Sequence, residues 1–279
     1  MPIVQLYLVT DCGGSDRGRY DIAVNRCFHP HHVSTGFFET QSMNTLHAGF
    51  VTAAHVLSTI DHFGSLRKGE LIGVLDNAAP RHGSENGRKL RGNARHLAGE
   101  EIYALLLDNG VWVIGPNTGF NFYFLSPRIK QSFLVTDTSG MSTPFRSMEV
   151  MIPALAEAMG LRTFPNIQVE PKPLVLEEPE PGLYVADWDN HGNLYIVAIG
   201  QDNVPFPSLG KHRVFRIGDN IARLRHVNGI FAGETGEPTL TTGSLKLNHK
   251  PVHYLVVVGS SARALFGNPN VGARVIIEE

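Results

Sequence analysis

Three polar side chains each follow a short, β-branched or apolar segment and are the first candidates for chemistry. These side chains are Asp11, Asp76 and Asn117. Because ligands of open α/β sheets bind where strands end, the three exits predict binding loops. A carboxylate at Asp11 would accept hydrogen bonds from sugar hydroxyls, or would only cap a tight turn. At Asp76 it would orient a water molecule, or would only close an Asx turn.

Arginines follow the second of these carboxylates. Arg81, Arg88 and Arg91 belong to a polar, glycine-bearing stretch that runs from residue 81 to residue 95. A basic stretch of this kind is usually solvated. One guanidinium placed beside Asp76 would instead hold its carboxyl group ionised. The sequence leaves both interpretations open.

The other reactive residue types do not form a known catalytic pattern. The glycines after Cys12 match neither the Gly-x-Gly-x-x-Gly nor the Walker lysine pattern, so phosphate binding is not predicted. The histidines within His29–His32 lack the spacing of a zinc site, and no metal is expected. Ser147 has no nucleophile-elbow context, which leaves a hydrolase triad unsupported.

Composition narrows the class of protein. The 279 residues are 42% hydrophobic, and 24 basic against 26 acidic side chains give a formal charge of −2. A near-neutral chain lacks the clustered basic charge that duplex binding needs, so we expect a small-molecule ligand and no nucleic acid. Two cysteines provide no disulfide framework, and no apolar run approaches the roughly 20 residues that span a bilayer. We expect a cytoplasmic protein without a membrane partner.

Alternating strand and helix patterns must position these loops. Asn44 is expected to cap a helix that ends near Ile60, and Ser147 or a neighbour to cap a helix over Met148–Met159. Asp108-Asn109-Gly110 predicts a hairpin. The alternation predicts an α/β domain over residues 1–165, with a mainly parallel sheet and covering helices.

The composition changes after this first domain. Residues 166–182 are rich in Pro and Glu, which predicts a stiff, extended connector. Beyond it, residues 183–279 contain short strand-like segments between Gly, Asn and Pro, without a convincing helix. We therefore expect a small all-β, barrel-like domain at the C-terminal end.

Five stretches carry a resemblance to a known superfamily. In the first domain, Thr10–Asp16, Gly115–Gly119 and Phe145–Glu149 resemble the ribose-binding start, the Pro-Asn/Asp-Asn-Gly turn and the Phe-Tyr-Ser-Arg-Glu signature of the fluorinases and chlorinases. In the second, Asp189–Asn193 and Val258–Ser261 are similar to its Asp…Gly-Asn loop and strand-end serine. The S-adenosylmethionine hydroxide adenosyltransferases, or S-adenosylmethionine hydrolases, belong to the same superfamily.

The resemblance implies a site, an assembly and a set of roles. It implies a homotrimer in which S-adenosylmethionine binds between the first domain of one subunit and the second domain of its neighbour, with no metal and no cofactor beyond this substrate. It implies that Asp76, Arg81 and Arg146 act at the reacting atoms. The residues that it implies bind the substrate are Asp11, Asn117, Phe145, Ser147, Asp189, Asn193 and Ser260.

The sequence departs from the superfamily at the reacting atoms. The hydrolase Asp-Pro-Gly-Val-Gly is replaced by Asp76–Pro80, and Arg81 lies nearer to the aspartate than the family's arginine does. Arg146 stands where the hydrolases have histidine, and a guanidinium cannot accept a proton. It would instead anchor a carboxylate or another anion. The halogenases carry tyrosine where Asp76 stands, so the aspartate favours water as the nucleophile.

We therefore expect an S-adenosylmethionine hydrolase that forms adenosine and L-methionine by in-line displacement at the ribose 5′-carbon. Two alternatives stay open. Ser147 matches a halogenase serine, which keeps a halide-using adenosyltransferase in view. The changed loop after Asp76 and the arginine at position 146 favour a non-catalytic protein that binds S-adenosylmethionine or a nucleoside.

Overall fold

The computed structural model describes residues 2–64, 66–78, 101–139, 145–176, 178–201, 204–248 and 250–278. The chain divides into two compact units, Met1–Glu177 and Glu178–Glu279. The division lies within residues 166–182, the stretch predicted to be a connector. Part of that stretch belongs to the first unit, as a strand.

The first unit is built on a mixed sheet of seven strands. Its strands, in chain order, are β1 (Ile3–Thr10), β2 (Val33–Glu39), β3 (Glu70–Asp76), β4 (Ile102–Leu107), β5 (Trp112–Pro116), β6 (Ile129–Asp137) and β7 (Ile167–Pro171). Their order across the sheet is β2-β1-β3-β5-β4-β6-β7. Strand β7 falls inside the predicted connector, because Ile167 and Val169 alternate with polar residues and pair with β6.

The expectation of a mainly parallel sheet is not confirmed. Strands β2, β1, β3 and β5 pair in parallel, whereas β4 pairs antiparallel with both β5 and β6, and β7 antiparallel with β6. The predicted hairpin at Asp108-Asn109-Gly110 explains the change, since a short turn joins only antiparallel strands. The parallel half carries the strand exits that matter for function.

Helices flank the parallel half. They are α1 (Arg17–Phe28), α2 (Thr45–Phe50), a π-helical segment (Val51–Leu57), α3 (Ser58–His62), a second π-helical segment (Ser147–Met151) and α4 (Ile152–Ala158). The expected cap at Asn44 is confirmed, because its Oδ1 accepts a hydrogen bond from the His47 backbone N–H at 3.0 Å. The helix that begins at Ser147 has no side-chain cap among the described residues.

One apolar face of α1 holds it to the sheet. Tyr20, Val24, Cys27 and Phe28 are buried, at the spacing of successive helical turns. They join a core that includes strand β1 and helix α4. Full burial of a side chain such as Phe28 contributes roughly 2 kcal/mol. This packing fixes the helix that follows the exit of β1.

The second unit is a closed barrel of seven strands. Their order is β10-β11-β12-β13-β9-β8-β14. The elements are β8 (Gly182–Trp188), β9 (Leu194–Ile199), β10 (His212–Ile217), β11 (Asn220–His226), β12 (Pro238–Leu247), β13 (Lys250–Val257), α5 (Ala262–Leu265) and β14 (Arg274–Glu278). The four-residue helix α5 was not predicted. In the part of the chain that the structure describes, no helix is both long and apolar enough to span a membrane.

Candidate functional site

Parallel pairing brings two of the predicted carboxyl groups to one edge of the first unit's sheet. In the β1–β3 ladder Val9 lies opposite Asp76, and the Asn77 backbone N–H donates to the Val9 carbonyl at 2.9 Å. Asp11 follows Val9 by two residues. In the next ladder Leu75 lies opposite Ile114, so β5 ends at the same edge. This edge is the expected position of a ligand in an α/β sheet.

Asp76 is a completely buried carboxyl group that accepts two hydrogen bonds from the described residues. Its exposed fraction is 0%. The Thr52 hydroxyl donates to Oδ2 at 3.2 Å, and the Ala78 backbone N–H donates to Oδ1 at 3.4 Å. Burial is the main cause that raises the pKa of Asp76 from 3.8 to about 8, and the negative charge of Asp11 raises it as well. The two hydrogen bonds act in the opposite direction.

Asp11 lies beside this group in a more open position. It is half-buried, and its Oδ2 accepts a hydrogen bond from the Met43 backbone N–H at 2.7 Å. That contact joins the loop after β1 to the segment that precedes α2. One carboxyl oxygen is thereby positioned by the backbone.

A second polar group connects the same strand ends to a distant helix. The Asn77 Nδ2 donates to the Tyr20 hydroxyl oxygen at 2.9 Å, and it lies 3.3 Å from the Thr10 Oγ1. The Tyr20 hydroxyl donates to the Ser147 Oγ at 2.8 Å. Ser147 is 5% exposed, and Tyr20 is fully buried. The predicted residue Ser147 is therefore two hydrogen bonds away from the residue that follows Asp76.

Both helical hydroxyls of this region lie on π-helical segments. Thr52, which donates to Asp76, belongs to Val51–Leu57, and Ser147 belongs to Ser147–Met151. A π-helical turn inserts one residue into the helix and re-aims the side chains around it, and such turns are frequent at functional sites. Two helices of the first unit thus direct hydroxyl groups toward the ends of β1 and β3.

The exit of β5 is braced by amide side chains. Asn117 is half-buried and its Nδ2 donates to the Val175 carbonyl at 2.9 Å, so this predicted residue supports the end of the first unit. Asn121 is fully buried, and its Nδ2 donates to the carbonyls of Ala78 at 2.6 Å and Pro116 at 3.2 Å. Asn121 thereby holds the chain immediately after Asp76 against the end of β5.

The predicted signature around Phe145 is only partly assembled with these groups. Phe145 is 37% exposed, and the Arg19 guanidinium lies 4.0 Å above its ring. Arg146 is half-buried and immediately precedes the π-helical segment that carries Ser147. Arg81, the third residue predicted at the reacting atoms, lies outside the described residues.

The predicted residues of the second unit form a separate loop cluster. Asp189 Oδ1 accepts hydrogen bonds from the backbone N–H groups of His191 at 2.9 Å and Asn193 at 3.0 Å, and its Oδ2 accepts one from Asn193 Nδ2 at 2.8 Å. Gly192 has a φ of 77°, and a Cβ there would meet the Ser261 Oγ at 2.1 Å. This close approach places the loop against Ser261, the residue after exposed Ser260.

An arginine and a tryptophan complete that loop cluster. The Arg263 backbone N–H donates to the Gly192 carbonyl at 2.8 Å, and its guanidinium lies 3.7 Å above the ring of Trp188. Such a cation–π contact fixes the guanidinium against the end of β8. The second unit thus brings Asp189 and Asn193 close to the segment that contains Ser261 and Arg263.

Four polar residues of the first unit's site were not predicted from the sequence. Tyr20 was missed because α1 was not recognised, although its apolar residues recur at helical spacing. Asn77 directly follows Asp76, and this position at a strand exit could have identified it as a candidate site residue. Thr52 and Asn121 are polar residues within apolar stretches of sequence. That pattern identifies them as candidate site residues only when their burial in the structure is known.

The arrangement in the first unit suits the binding of a polar, uncharged or cationic molecule. When it is ionised, the Asp76 carboxylate attracts positive charge, and the surrounding hydroxyl and amide groups offer both donors and acceptors. Among the described residues, no group of three or more His, Cys, Asp or Glu side chains could hold a metal ion.

Two solved structures resemble the whole chain. A crystal structure of an uncharacterized conserved protein from Thermotoga maritima has a TM-score of 0.66 at 15% identity, over 98% of this chain and 100% of that one. A conserved hypothetical protein from Thermus thermophilus has a TM-score of 0.59 at 17% identity, over 99% of each chain. No protein-family model and no curated protein sequence matches. At these identities the likeness concerns the fold alone.

Proposed function

We propose that the protein is an S-adenosylmethionine hydrolase, which transfers the adenosyl group to water. The observation that carries the proposal is the fully buried carboxyl group of Asp76 at a strand exit, with Asp11 at the neighbouring exit. The choice of S-adenosylmethionine as the substrate rests on the family resemblance of the loops Thr10–Asp16, Gly115–Gly119 and Phe145–Glu149. The homotrimeric assembly and the cytoplasmic location expected from the sequence belong to the same proposal.

The reaction needs little from the protein besides position and charge. Water attacks the ribose 5′-carbon, its oxygen forms the new C–O bond, and the C–S bond breaks. The electron pair of that bond stays on sulfur, so methionine leaves as a neutral thioether, and one water proton passes to the solvent. Because the leaving group is neutral, no general acid is required. In-line positioning of water and carbon supplies most of the acceleration.

Asp76 is the residue that would orient the water. Its side chain is closed off from bulk solvent, so a water bound to it is held in a desolvated position. Positive charge on the sulfonium favours the ionised carboxylate and opposes the effect of burial on its pKa. Substrate binding therefore prepares the acceptor that the attacking water needs.

In the proposed homotrimer, Asp11 of one subunit and the second unit of its neighbour would bind the rest of the substrate, as the resemblance implies. The Met43 N–H holds the Asp11 Oδ2, which orients the carboxylate toward a pair of ribose hydroxyls in this proposal. Asn193, Asp189 and Ser260 would contact the nucleoside or methionine ends, and Phe145 would line the nucleoside. Arg146 would hold an anionic group, since it cannot act as the histidine of the hydrolases does.

The test is product analysis in chloride-free buffer. We expect chromatography to show equal amounts of adenosine and methionine from S-adenosylmethionine, and Asp76→Asn to reduce turnover at least about 100-fold. Asp21→Asn is the matched control, because Asp21 is half-buried in the same unit and accepts from the Thr35 hydroxyl at 3.3 Å. Undiminished turnover in Asp76→Asn would remove Asp76 from the mechanism.

A second candidate is a halide-using adenosyltransferase. The buried hydroxyl of Ser147 near the strand exits favours it, since a hydroxyl donor suits a small anion. A chlorinated nucleoside that forms only when chloride is supplied would establish this reaction in place of hydrolysis. Calorimetric binding of S-adenosylmethionine without turnover in either buffer would instead indicate a non-catalytic binding protein.

A further inference from the structure

The hydrogen bonds among Asn77, Tyr20 and Ser147 have a direction. The Asn77 amide can only donate through Nδ2, so at 2.9 Å the Tyr20 oxygen is its acceptor. The Tyr20 hydroxyl then has its own proton to donate. Two hydroxyl oxygens are within its reach, Thr10 Oγ1 at 3.4 Å and Ser147 Oγ at 2.8 Å, and the shorter bond is the one that Tyr20 donates to Ser147. Burial raises the pKa of Tyr20, which keeps the phenol protonated and able to donate.

This direction determines what the serine can do. The Ser147 oxygen is occupied as an acceptor, and its proton has no acceptor among the described residues. The Ser147 side chain is 5% exposed, so a hydroxyl proton without a partner there would be costly. A bound molecule that offers a lone pair would satisfy it.

We propose that Tyr20, held by Asn77, is a positioning residue that orients the Ser147 hydroxyl so that it donates to an oxygen acceptor of a bound adenosyl compound. The inference rests on the proposed function and deepens it, because it assigns roles to Tyr20 and Asn77, for which the family resemblance gives none. Tyr20 does not touch the ligand. Its contribution passes through Ser147.

A positioning role of this kind has a kinetic signature. The Ser147 donor would contact the substrate before and during the reaction, so weakening it affects binding more than the chemical step. We expect Tyr20→Phe and Ser147→Ala each to raise the KM for S-adenosylmethionine about tenfold, with kcat within about twofold of the wild type. Ser147→Thr keeps a hydroxyl and is expected to recover most of the affinity.

The double variant gives the decisive comparison. If Tyr20 acts through Ser147, the Tyr20→Phe substitution adds nothing once the hydroxyl is gone, so Tyr20→Phe/Ser147→Ala matches Ser147→Ala alone. Tyr103→Phe is the matched control, because Tyr103 is also buried in the first unit and bonds to Glu101 at 3.1 Å. Its KM is expected to stay within about twofold of the wild type.

Each outcome bears on one of the two proposals. Multiplied effects in the double variant, or an unchanged KM in Tyr20→Phe, would overturn the positioning role while hydrolysis stands. A wild type that neither turns over S-adenosylmethionine nor binds it would overturn both. Should Tyr20→Phe not fold, Asn77→Ala removes the donor to the Tyr20 oxygen, and its expected KM increase of about threefold must vanish in the Ser147→Ala background.

Discussion

The two units place a loop aspartate in opposite environments. In the first unit Asp76 is 0% exposed, with one hydroxyl donor and one backbone donor at 3.4 Å. In the second, Asp189 is half-buried and accepts three hydrogen bonds of 3.0 Å or less from its own loop. The three bonds to Asp189 hold its loop together, whereas Asp76 receives two longer bonds from the described residues. A carboxyl group that folding leaves poorly satisfied costs stability, and such a cost is typical of ligand sites.

The largest expected effect is on the stability of the first unit. Between pH 3.8 and about 8 the unfolded chain has lost the Asp76 proton that the folded chain keeps, so the wild type loses stability as pH rises through this window. Asp76→Asn removes the penalty, and we expect it to raise the free energy of unfolding at pH 9 by at most about 6 kcal/mol. At pH 4 the gain should be close to zero.

Unfolding in urea at the two pH values measures this gain. The chain has 2 tryptophans, and Trp112 lies in the first unit while Trp188 lies in the second. Fluorescence of Asp76→Asn in a Trp188→Phe background therefore reports the first unit alone. A gain of equal size at both pH values, or a loss at pH 9, would contradict the assignment of Asp76 as a buried acid.

The next effect concerns the charge of the ligand. If a sulfonium ionises Asp76, the affinity for S-adenosylmethionine is expected to rise roughly 50-fold from pH 6 to pH 8, because binding then requires proton release. S-adenosylhomocysteine is the matched control ligand, since it lacks only the methyl group and the charge on sulfur. Calorimetry in buffers of different ionisation enthalpy counts the protons released. Equal pH dependence for the two ligands would separate Asp76 from sulfonium binding.

A smaller effect of opposite sign is expected in the second unit. Asp189→Asn replaces one carboxyl oxygen by an amide nitrogen, which cannot accept from the Asn193 side chain or the loop N–H groups. We expect the second unit to lose about 2 kcal/mol of unfolding free energy. Trp188 fluorescence in a Trp112→Phe background measures it. Stabilisation by this substitution would remove the contrast with Asp76.

Local signals predicted much of the framework. The Asn44 cap, the Asp108-Asn109-Gly110 hairpin and the all-β character of the second unit each follow from short stretches of sequence. The mainly parallel sheet was not confirmed for a related reason, since the hairpin itself introduces antiparallel strands. Strand exits placed Asp11 and Asp76 at one edge because parallel strands end together.

Contacts between segments far apart in the chain could not be predicted from the sequence. Tyr20 and Ser147 are 127 residues apart, and their hydrogen bond depends on the packing of α1 against the helix that contains Ser147. Nothing in the sequence near Ser147 indicates a phenol partner. The degree of burial of Asp76 also comes from tertiary structure, so the sequence suggested a carboxylate there and not its raised pKa.

The smallest expected effect tests the Thr52 hydroxyl, which favours the ionised form of Asp76. The Thr52 hydroxyl donates to Oδ2 at 3.2 Å and lowers the pKa of Asp76 against the larger effect of burial. Thr52→Val keeps the shape and removes the donor, so the carboxyl group becomes harder to ionise. We expect the ascending limb of the turnover profile, in which activity rises with pH, to move up by about one pH unit.

Thr52→Ser retains the hydroxyl and serves as the control for lost packing on the π-helical segment. Its pH profile should coincide with that of the wild type even if its stability falls, because a methyl group carries no hydrogen bond. A Thr52→Val profile that coincides with the wild type would show that the acid controlling turnover is not the one bonded to Thr52. That result would indicate that the buried Asp76 carboxyl group has a structural role, as Asp189 has, and no role in turnover.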